Sequence, residues 1–372
     1  MAIEVLPDDR ALRHGRRDRA LAQMKAHDLD ILVLGRQANA RYLAGAPQLW
    51  VAGTRPFGPV ATVVRETGAV HLLSTWDEGI PDDIPHEHLY GLAWNPMTTI
   101  AVLRDIEGAA TAKRVGTDAL SPGFAKLLPL AFPHAELVDG EQAMRTARRV
   151  KTAEEIAVLR NTLRVAEAGL ATTVAALAPG SSEPGLIGVL LEAMTAGGVS
   201  TPASQDSVWV TSTEHPWRRA ASDRLVRPGD LVAVNAGVLG DGYIGEVGRT
   251  YPVDPTDEAA KLYRRRDALW DRLIDACRPG AAAADLLTAY ESAGEPLPPM
   301  PVARGLGMGF DPPVVSPRLR ATAAAERLEP GMVLSVTGYV WQSGVGAVFG
   351  RDAVLITDDG CEVLTTAPHW EP

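Results

Sequence analysis

Cysteine is almost absent from this sequence, which has only Cys277 and Cys361 among its 372 residues. Two cysteines are too few for a disulfide-rich scaffold or for a zinc site built from thiolates. Long apolar runs are also missing, and none approaches the roughly 20 residues that a membrane-spanning helix needs. These absences exclude a small disulfide-stapled module and predict a protein without a membrane segment.

Basic residues are outnumbered, with 36 Lys and Arg against 46 Asp and Glu, and the formal net charge is −10. Because no basic stripe stands out, we expect no nucleic-acid partner. The N-terminal stretch MAIEVLPDDRALRHGRRDR is mixed in charge and lacks the apolar core of a secretory signal, which predicts a cytoplasmic protein. The chain is too long for one ordinary core, so two domains are expected.

The first part of the chain alternates between helix and strand patterns. Leu12, Leu21 and Met24 recur at helical spacing, and the apolar run DILVLG that follows predicts a buried strand. Two β-rich runs flank Glu66-Thr67-Gly68, which is typical of a hairpin. We therefore predict a small α/β domain over residues 1–145.

The second part, residues 150–372, begins with a helix start signal. Thr152 precedes Glu155 by three residues, as in a capping box, and the long helix is expected to end before Pro179. A second helix and then the strand patterns DSVWVTS, DLVAVNAGV and DGYIGEVGRTYPV follow. Further helices are predicted at 256–277 and 282–293, strands at 331–341 and 345–357, and a loop in the tail. This order predicts the α+β class.

Five motifs in the second part occur in a defined order: SDRLVRPGDLVAVNAG, DGYIGEVGRTYPV, GLGMGF, LEPGMVLSV and RDAVLITDDGCEVLT. Together they resemble the pita-bread hydrolases, which include Xaa-Pro dipeptidase, aminopeptidase P, methionine aminopeptidase and the metal-free creatinase. The resemblance extends over nearly the whole chain. It implies an α/β (α+β) protein with a creatinase-type N-terminal domain, a C-terminal pita-bread domain and a homodimeric state.

The resemblance also implies a site for two metal ions, held by two aspartates, one histidine and two glutamates. The corresponding positions in this chain are Asn235, Glu246, Leu306, Thr337 and Arg351. One carboxylate beside an arginine is a poor set of ligands for hard divalent cations, which need several anionic oxygens. We therefore expect no metal ion and no other cofactor.

Creatinase is a metal-free precedent, and it resembles this chain in having an asparagine at the position of Asn235. The resemblance fails elsewhere, because Gly248 stands where creatinase has an acid. An arginine also stands where creatinase has its general-base histidine. Creatine hydrolysis is therefore not expected.

The remaining polar groups suggest roles in chemistry. Glu246 is a candidate general acid or base, Arg351 could bind a carboxylate or polarise a carbonyl, and His215 is a third catalytic candidate. Trp50 could act as an aromatic lid, because in the resembling family the N-terminal domain of one subunit leans over its partner's pocket. The candidate substrate-binding residues are Arg218, Arg219, Asn235, Tyr243, Arg304, Leu306, Thr337, Tyr339 and Trp50.

Several interpretations stay open at this point. Glu246 and Arg351 could form a structural ion pair, bind a substrate, or take part in acid–base catalysis. The chain could be a metal-independent enzyme for a small carboxylate or amide substrate, working by C–N hydrolysis, elimination or a related proton transfer. The alternatives are a non-catalytic binding protein that uses the inherited pocket, and an Xaa-Pro metallopeptidase.

Overall fold

The computed structural model describes residues 8–46, 58–199, 201–204 and 207–372, except for the side chain of residue 310. Their contacts divide into two compact units, with the boundary between residues 148 and 149. Each unit has its own sheet. No described helix combines the length and apolar character that a membrane span requires.

The N-terminal unit is built around a mixed sheet of six strands in the order β4-β3-β2-β1-β5-β6. Its core is formed by apolar residues of the central strands, among them Ile31, Val33 and Val115. The strands are β1 Ile31–Leu34, β2 Ala61–Val64, β3 Val70–Leu73, β4 Leu89–Tyr90, β5 Arg114–Thr117 and β6 Glu136–Asp139. The helices are α1 Asp9–Ala26, α2 Gln37–Ala44, α3 Pro96–Arg104, α4 Pro122–Leu127 and α5 Glu141–Arg149.

The C-terminal unit is built around an antiparallel sheet in the order β11-β10-β12-β13-β9-β8-β7, with β14 paired to β13. Its strands are β7 Val208–Val210, β8 Leu231–Gly240, β9 Tyr243–Pro252, β10 Ala303–Leu306, β11 Phe310–Val315, β12 Val333–Gln342, β13 Gly346–Ile356 and β14 Cys361–Val363. Its helices are α6 Ala153–Ala175, α7 Glu183–Ala196, α8 Asp257–Ala276, α9 Asp285–Ser292 and α10 Arg320–Ala325.

Helices cover one face of this sheet. The α6–α7 pair packs on β8 and β9 through Val232, Val234 and Val238, and the α8–α9 pair packs on β12 and β13 through Val336 and Val348. Because side chains alternate along a strand, the residues between these apolar positions point to the opposite face. Asn235, Glu246, Thr337 and Arg351 of the long strands therefore lie on the face away from these helices.

The element predictions for the second part are confirmed. Thr152 and Glu155 form the capping box at the start of α6, and the four long strands lie where their patterns placed them. The hairpin of β10 and β11 was missed. Its strands are short, and the second reads FDPPVV, in which two prolines hide the strand pattern.

Candidate active site

A polar pocket lies on the face of the C-terminal sheet away from the helices. It has a volume of about 260 Å³ and is lined by Ala203, Ser204, Asn235, Glu246, Met300, Pro301, Arg304, Ser335, Thr337 and Arg351. The strand pairing explains the assembly, because Thr337 is opposite Arg351, and Arg351 is opposite Gly248, which is opposite Asn235. Four of the five positions that the resemblance assigned to metal ligands thus line one pocket.

Glu246 lies at the centre of this pocket and is buried, with its side chain 4% exposed. Arg304 Nη2 donates a hydrogen bond of 2.7 Å to Oε1, and the Ser335 hydroxyl donates to the same oxygen. Arg351 Nη1 makes a longer contact of 3.5 Å with Oε2. The predicted ion pair with Arg351 is therefore present, but Arg304 makes the shorter contact.

Arg351 is held by neighbours that leave part of its side chain facing the pocket, where it is 17% exposed. Its Nε donates to Thr337 Oγ1 at 3.0 Å, and its Nη1 donates to Asn235 Oδ1 at 3.3 Å. Its Nη2 makes no hydrogen bond within the part of the chain that the structure describes. The guanidinium group is thus fixed in direction and still able to bind a ligand.

The electrostatics of the pocket keep Glu246 ionised. Burial by itself would raise the pKa of this carboxyl, but the charges of Arg351 and Arg304 and the hydroxyl of Ser335 outweigh it and lower the pKa below 4.5. A carboxylate with a lowered pKa is a poor general acid at neutral pH and only a weak general base. The structure therefore favours an electrostatic role for Glu246.

The donor set of this pocket does not fit a pair of divalent metal ions. Its one carboxylate already receives Arg304, Arg351 and Ser335, and the oxygens of Asn235 and Thr337 accept from Arg351. Two guanidinium groups would repel a cation at the same place. Among the described residues, no group of three or more His, Cys, Asp and Glu is placed to hold a metal ion.

Two residues predicted to bind substrate lie away from the pocket. Tyr243 is fully buried, and its hydroxyl donates to Glu155 at 2.9 Å, because an odd-numbered residue of β9 points to the opposite side from Glu246. Leu306 is also fully buried and does not line the pocket, and a β-bulge separates it from Arg304.

The predicted residues of the 212–219 turn are not in the pocket lining either. His215, Arg218 and Arg219 are exposed, and the guanidinium of Arg219 lies 5.0 Å from the Trp209 ring centre. Tyr339 follows Thr337 on the same face, but its hydroxyl donates to Pro216 O of this turn. Trp50, the predicted lid, lies outside the described residues.

Two serines of the pocket were not predicted. Ser335 carried a usable signal, because it lies two residues before Thr337 on the same strand and therefore on the same face. Ser204 lies on a loop, its hydroxyl donates to Asn235 O at 3.2 Å, and nothing in its sequence context indicates this position.

Asp311 forms a fully buried ion pair with Lys151, with 3.1 Å between Lys151 Nζ and Asp311 Oδ2.

A second buried network supports the site from the helix-covered side. Arg249 is 2% exposed and donates to Asp352 Oδ1 at 2.6 Å, to Gly248 O at 2.7 Å and to Arg351 O at 3.0 Å. It also holds the C-terminal tail through two bonds to Ala367 O. The network therefore fixes the backbone on which Arg351 stands.

Acid should destabilise the protein through two of its buried carboxylates, those of Glu246 and Asp352. Burial alone would raise the pKa of Glu246 and of Asp352, but nearby arginines lower these pKa values below 4.5 and 3.8. A depressed folded pKa gives stability that is present above the unfolded pKa and is lost as pH falls through the folded pKa. We expect the free energy of unfolding to decline as pH falls below about 4.5.

Urea denaturation between pH 7 and pH 3 measures this effect. Glu246→Gln removes one of the two groups and should make the decline shallower. A free energy of unfolding that stays constant, or rises, towards acid would contradict the prediction.

The fold and the site first define a class, the pita-bread hydrolases. The second unit has an antiparallel sheet with helices on one face and a polar pocket on the other face. The model of metallopeptidase family M24 matches residues 157–358, and that of the creatinase/prolidase N-terminal domain matches residues 16–150. The chain belongs to metallopeptidase family M24. The predicted family and fold class are confirmed.

Curated relatives match part of the chain. The uncharacterized peptidase YqhT of Bacillus subtilis is 28% identical over 241 residues, which cover 63% of this chain and 67% of the relative. The creatinase of Bacillus sp. (strain B-0618) is 27% identical over 289 residues, which cover 70% of this chain and 68% of the relative.

Solved structures match almost the whole chain. The prolidase from Pyrococcus horikoshii OT3 has a TM-score of 0.77 at 18% identity and covers 95% of this chain and 99% of its own. The dipeptidase PepE from Mycobacterium ulcerans has a TM-score of 0.73 at 23% identity and covers 98% of both chains. These likenesses show the shared fold.

Proposed function

We propose that this chain is a metal-independent enzyme of the pita-bread fold that acts on a small substrate with a carboxylate or amide group. The reaction would be C–N hydrolysis, elimination or a related acid–base step. The peptidase and hydrolase names of the relatives support an enzyme. A homodimer and a cytoplasmic location remain predictions.

The pocket face of Arg351 is the observation that carries this proposal. Its side chain is 17% exposed, its Nε and Nη1 are held by Thr337, Asn235 and Glu246, and its Nη2 makes no hydrogen bond among the described residues. A ligand carboxylate could form charge-assisted hydrogen bonds with this face of the guanidinium group.

The residues of the pocket would then have distinct roles. Arg351, oriented by Thr337 and Asn235, would bind the carboxylate or polarise a carbonyl oxygen. Glu246 would orient both guanidinium groups through its contacts with Arg304 and Arg351. The catalytic role predicted for His215 gains no support from its exposed position outside the pocket lining.

A non-catalytic binding protein is the second candidate, and one observation favours it. Every contact of Glu246 is with a donor that stabilises the ionised form, so this group is poorly prepared to move a proton. Turnover distinguishes the candidates. A compound that binds through Arg351 and is recovered unchanged after long incubation would favour the binding protein.

Removing Arg351 should weaken carboxylate binding. We expect Arg351→Ala to lose roughly 10- to 100-fold in affinity for propionate, because a hydrogen bond to a charged group contributes about 1.5–3 kcal/mol. Calorimetric titration measures the affinity, and propionamide tests whether the charge of the ligand is needed. The exposed Arg272 on α8 supplies the control Arg272→Ala. Equal affinity of Arg351→Ala and wild type would contradict the proposal.

Metal removal should leave the protein unchanged. After incubation with Mn²⁺, Co²⁺ or Zn²⁺ and desalting, elemental analysis should find metal near background. EDTA should not shift the melting temperature, whereas loss of an ion held at 100 times its Kd would remove about 2.7 kcal/mol of stability. Close to two ions per chain, with cleavage of Xaa-Pro dipeptides, would contradict the proposal and favour the metallopeptidase alternative.

A further inference from the structure

Aromatic side chains lie beside the pocket, on the same face of the sheet. On β12, Tyr339 and Trp341 follow Thr337 at intervals of two residues, and on β13 Phe349 precedes Arg351 by two. Tyr339 is paired with Phe349 across the two strands. Alternation therefore places these rings on the face that carries the charged pocket.

The rings are in contact with each other and with the pocket. The guanidinium carbon of Arg351 lies 5.2 Å from the centre of the Phe349 ring, and this ring lies 5.4 Å from that of Trp209. The Trp217 ring lies 5.1 Å from that of Tyr339. The Tyr339–Phe349 pair is thus flanked by two tryptophans and begins directly beside Arg351.

Gly248 permits this arrangement. A Cβ at this position would lie 2.3 Å from a ring atom of Phe349 and 3.0 Å from Cβ of Arg351. A larger residue at position 248 would displace the Phe349 ring. The sequence thus leaves space on β9 for an aromatic ring beside the charged group.

The aromatic cluster is only partly covered. Trp217 is 38% exposed, and Trp209 and Trp341 are half-buried. Two polar atoms of the cluster are used within the chain, since Trp341 Nε1 donates to Ser212 O at 2.8 Å and the Tyr339 hydroxyl donates to Pro216 O. Tyr339 and Phe349 are buried, so the ring surface that the cluster offers to a ligand belongs to its tryptophans.

We propose that the substrate is a small carboxylate that carries a flat aromatic group on a short linker. This deepens the proposed function and rests on it. The carboxylate would bind at Arg351, and the aromatic group would lie against Trp209. The linker is short because Trp209 lies only one ring beyond Arg351: the Phe349 ring centre is 5.2 Å from the guanidinium carbon of Arg351 and 5.4 Å from the ring centre of Trp209. Aromatic rings prefer tilted or offset contacts with other rings, which the tryptophans offer.

Calorimetric titration of the full chain with three probes tests the proposal. The probes are 3-phenylpropionate, propionate and 3-phenylpropionamide, which differ in the ring or in the charge. We expect 3-phenylpropionate to bind on the order of tenfold or more tightly than either of the other two. Trp209→Ala should reduce this advantage. The control is Trp94→Ala, a tryptophan that is 74% exposed in the N-terminal unit.

The outcomes separate the two proposals. If propionate and 3-phenylpropionate bind equally and both depend on Arg351, the aromatic substrate class is overturned and the proposed function stands. If the amide binds as tightly as the acid and Arg351→Ala has no effect, the carboxylate-binding function is overturned. If no probe binds, both fail, and the rings serve to hold the 212–219 turn.

Discussion

Replacement of Arg249 by methionine should lower the free energy of unfolding by about 3–5 kcal/mol, which is typical when one partner of a buried ion pair is removed. Asp352 is 2% exposed and would keep its charge without its main counter-charge. The carbonyl oxygens of Gly248, Arg351 and Ala367 would each lose the hydrogen bond that Arg249 donates. Urea denaturation at pH 7 measures the loss.

A matched exposed pair provides the control. Arg320 and Glu291 pair in the same unit with side chains 41% and 50% exposed, so Arg320→Ala should cost at most about 1 kcal/mol. The double variant Arg249→Met/Asp352→Leu removes both charges and should recover part of the stability. If Arg249→Met costs no more than Arg320→Ala, the network does not stabilise the fold in the way its burial indicates.

Replacement of Glu246 by alanine should also destabilise the protein by about 3–5 kcal/mol, and an added carboxylate should reverse part of the loss. The variant leaves Arg304 and Arg351 close together in the pocket, with side chains only 12% and 17% exposed, and without their shared carboxylate. Propionate should therefore raise the melting temperature of Glu246→Ala more than that of wild type. Thermal unfolding with and without propionate measures both effects.

Glu295 supplies the comparison for this variant. Its side chain is 5% exposed, but its partner Arg265 is 41% exposed and can be hydrated when the carboxylate is removed. Glu295→Ala should therefore cost less, on the order of 1 kcal/mol, and should not respond to propionate. Equal loss in both variants, or no response of Glu246→Ala to propionate, would show that the two arginines do not form an anion site.

The large elements could be predicted because their signals are local. The capping box at Thr152 and Glu155 and the alternating apolar residues of β8, β9, β12 and β13 each lie within one segment. Ordered motifs then indicated the family. The hairpin of β10 and β11 escaped, because its strand character depends on pairing with β12 and not on its own glycine- and proline-rich sequence.

The candidate site was predicted in part. Asn235, Glu246, Arg304, Thr337 and Arg351 meet in one pocket, whereas Tyr243 points to the opposite face. Both Tyr243 and Glu246 lie on β9, and their separation by three residues already assigns them to different faces. The contact between Arg304 and Glu246 could not be predicted, because it joins segments that are 58 residues apart.

The sequence by itself determined the family and the long helices and strands, and it predicted that Glu246 is the one carboxylate at the positions that the resemblance assigns to metal ligands. These are properties of residue type and local spacing, which need no knowledge of distant contacts. Tertiary structure decided which charges meet, that the pKa of Glu246 is lowered, and which rings lie beside the pocket. Pairing of distant strands brings these groups together, and burial among them sets the strength of each interaction.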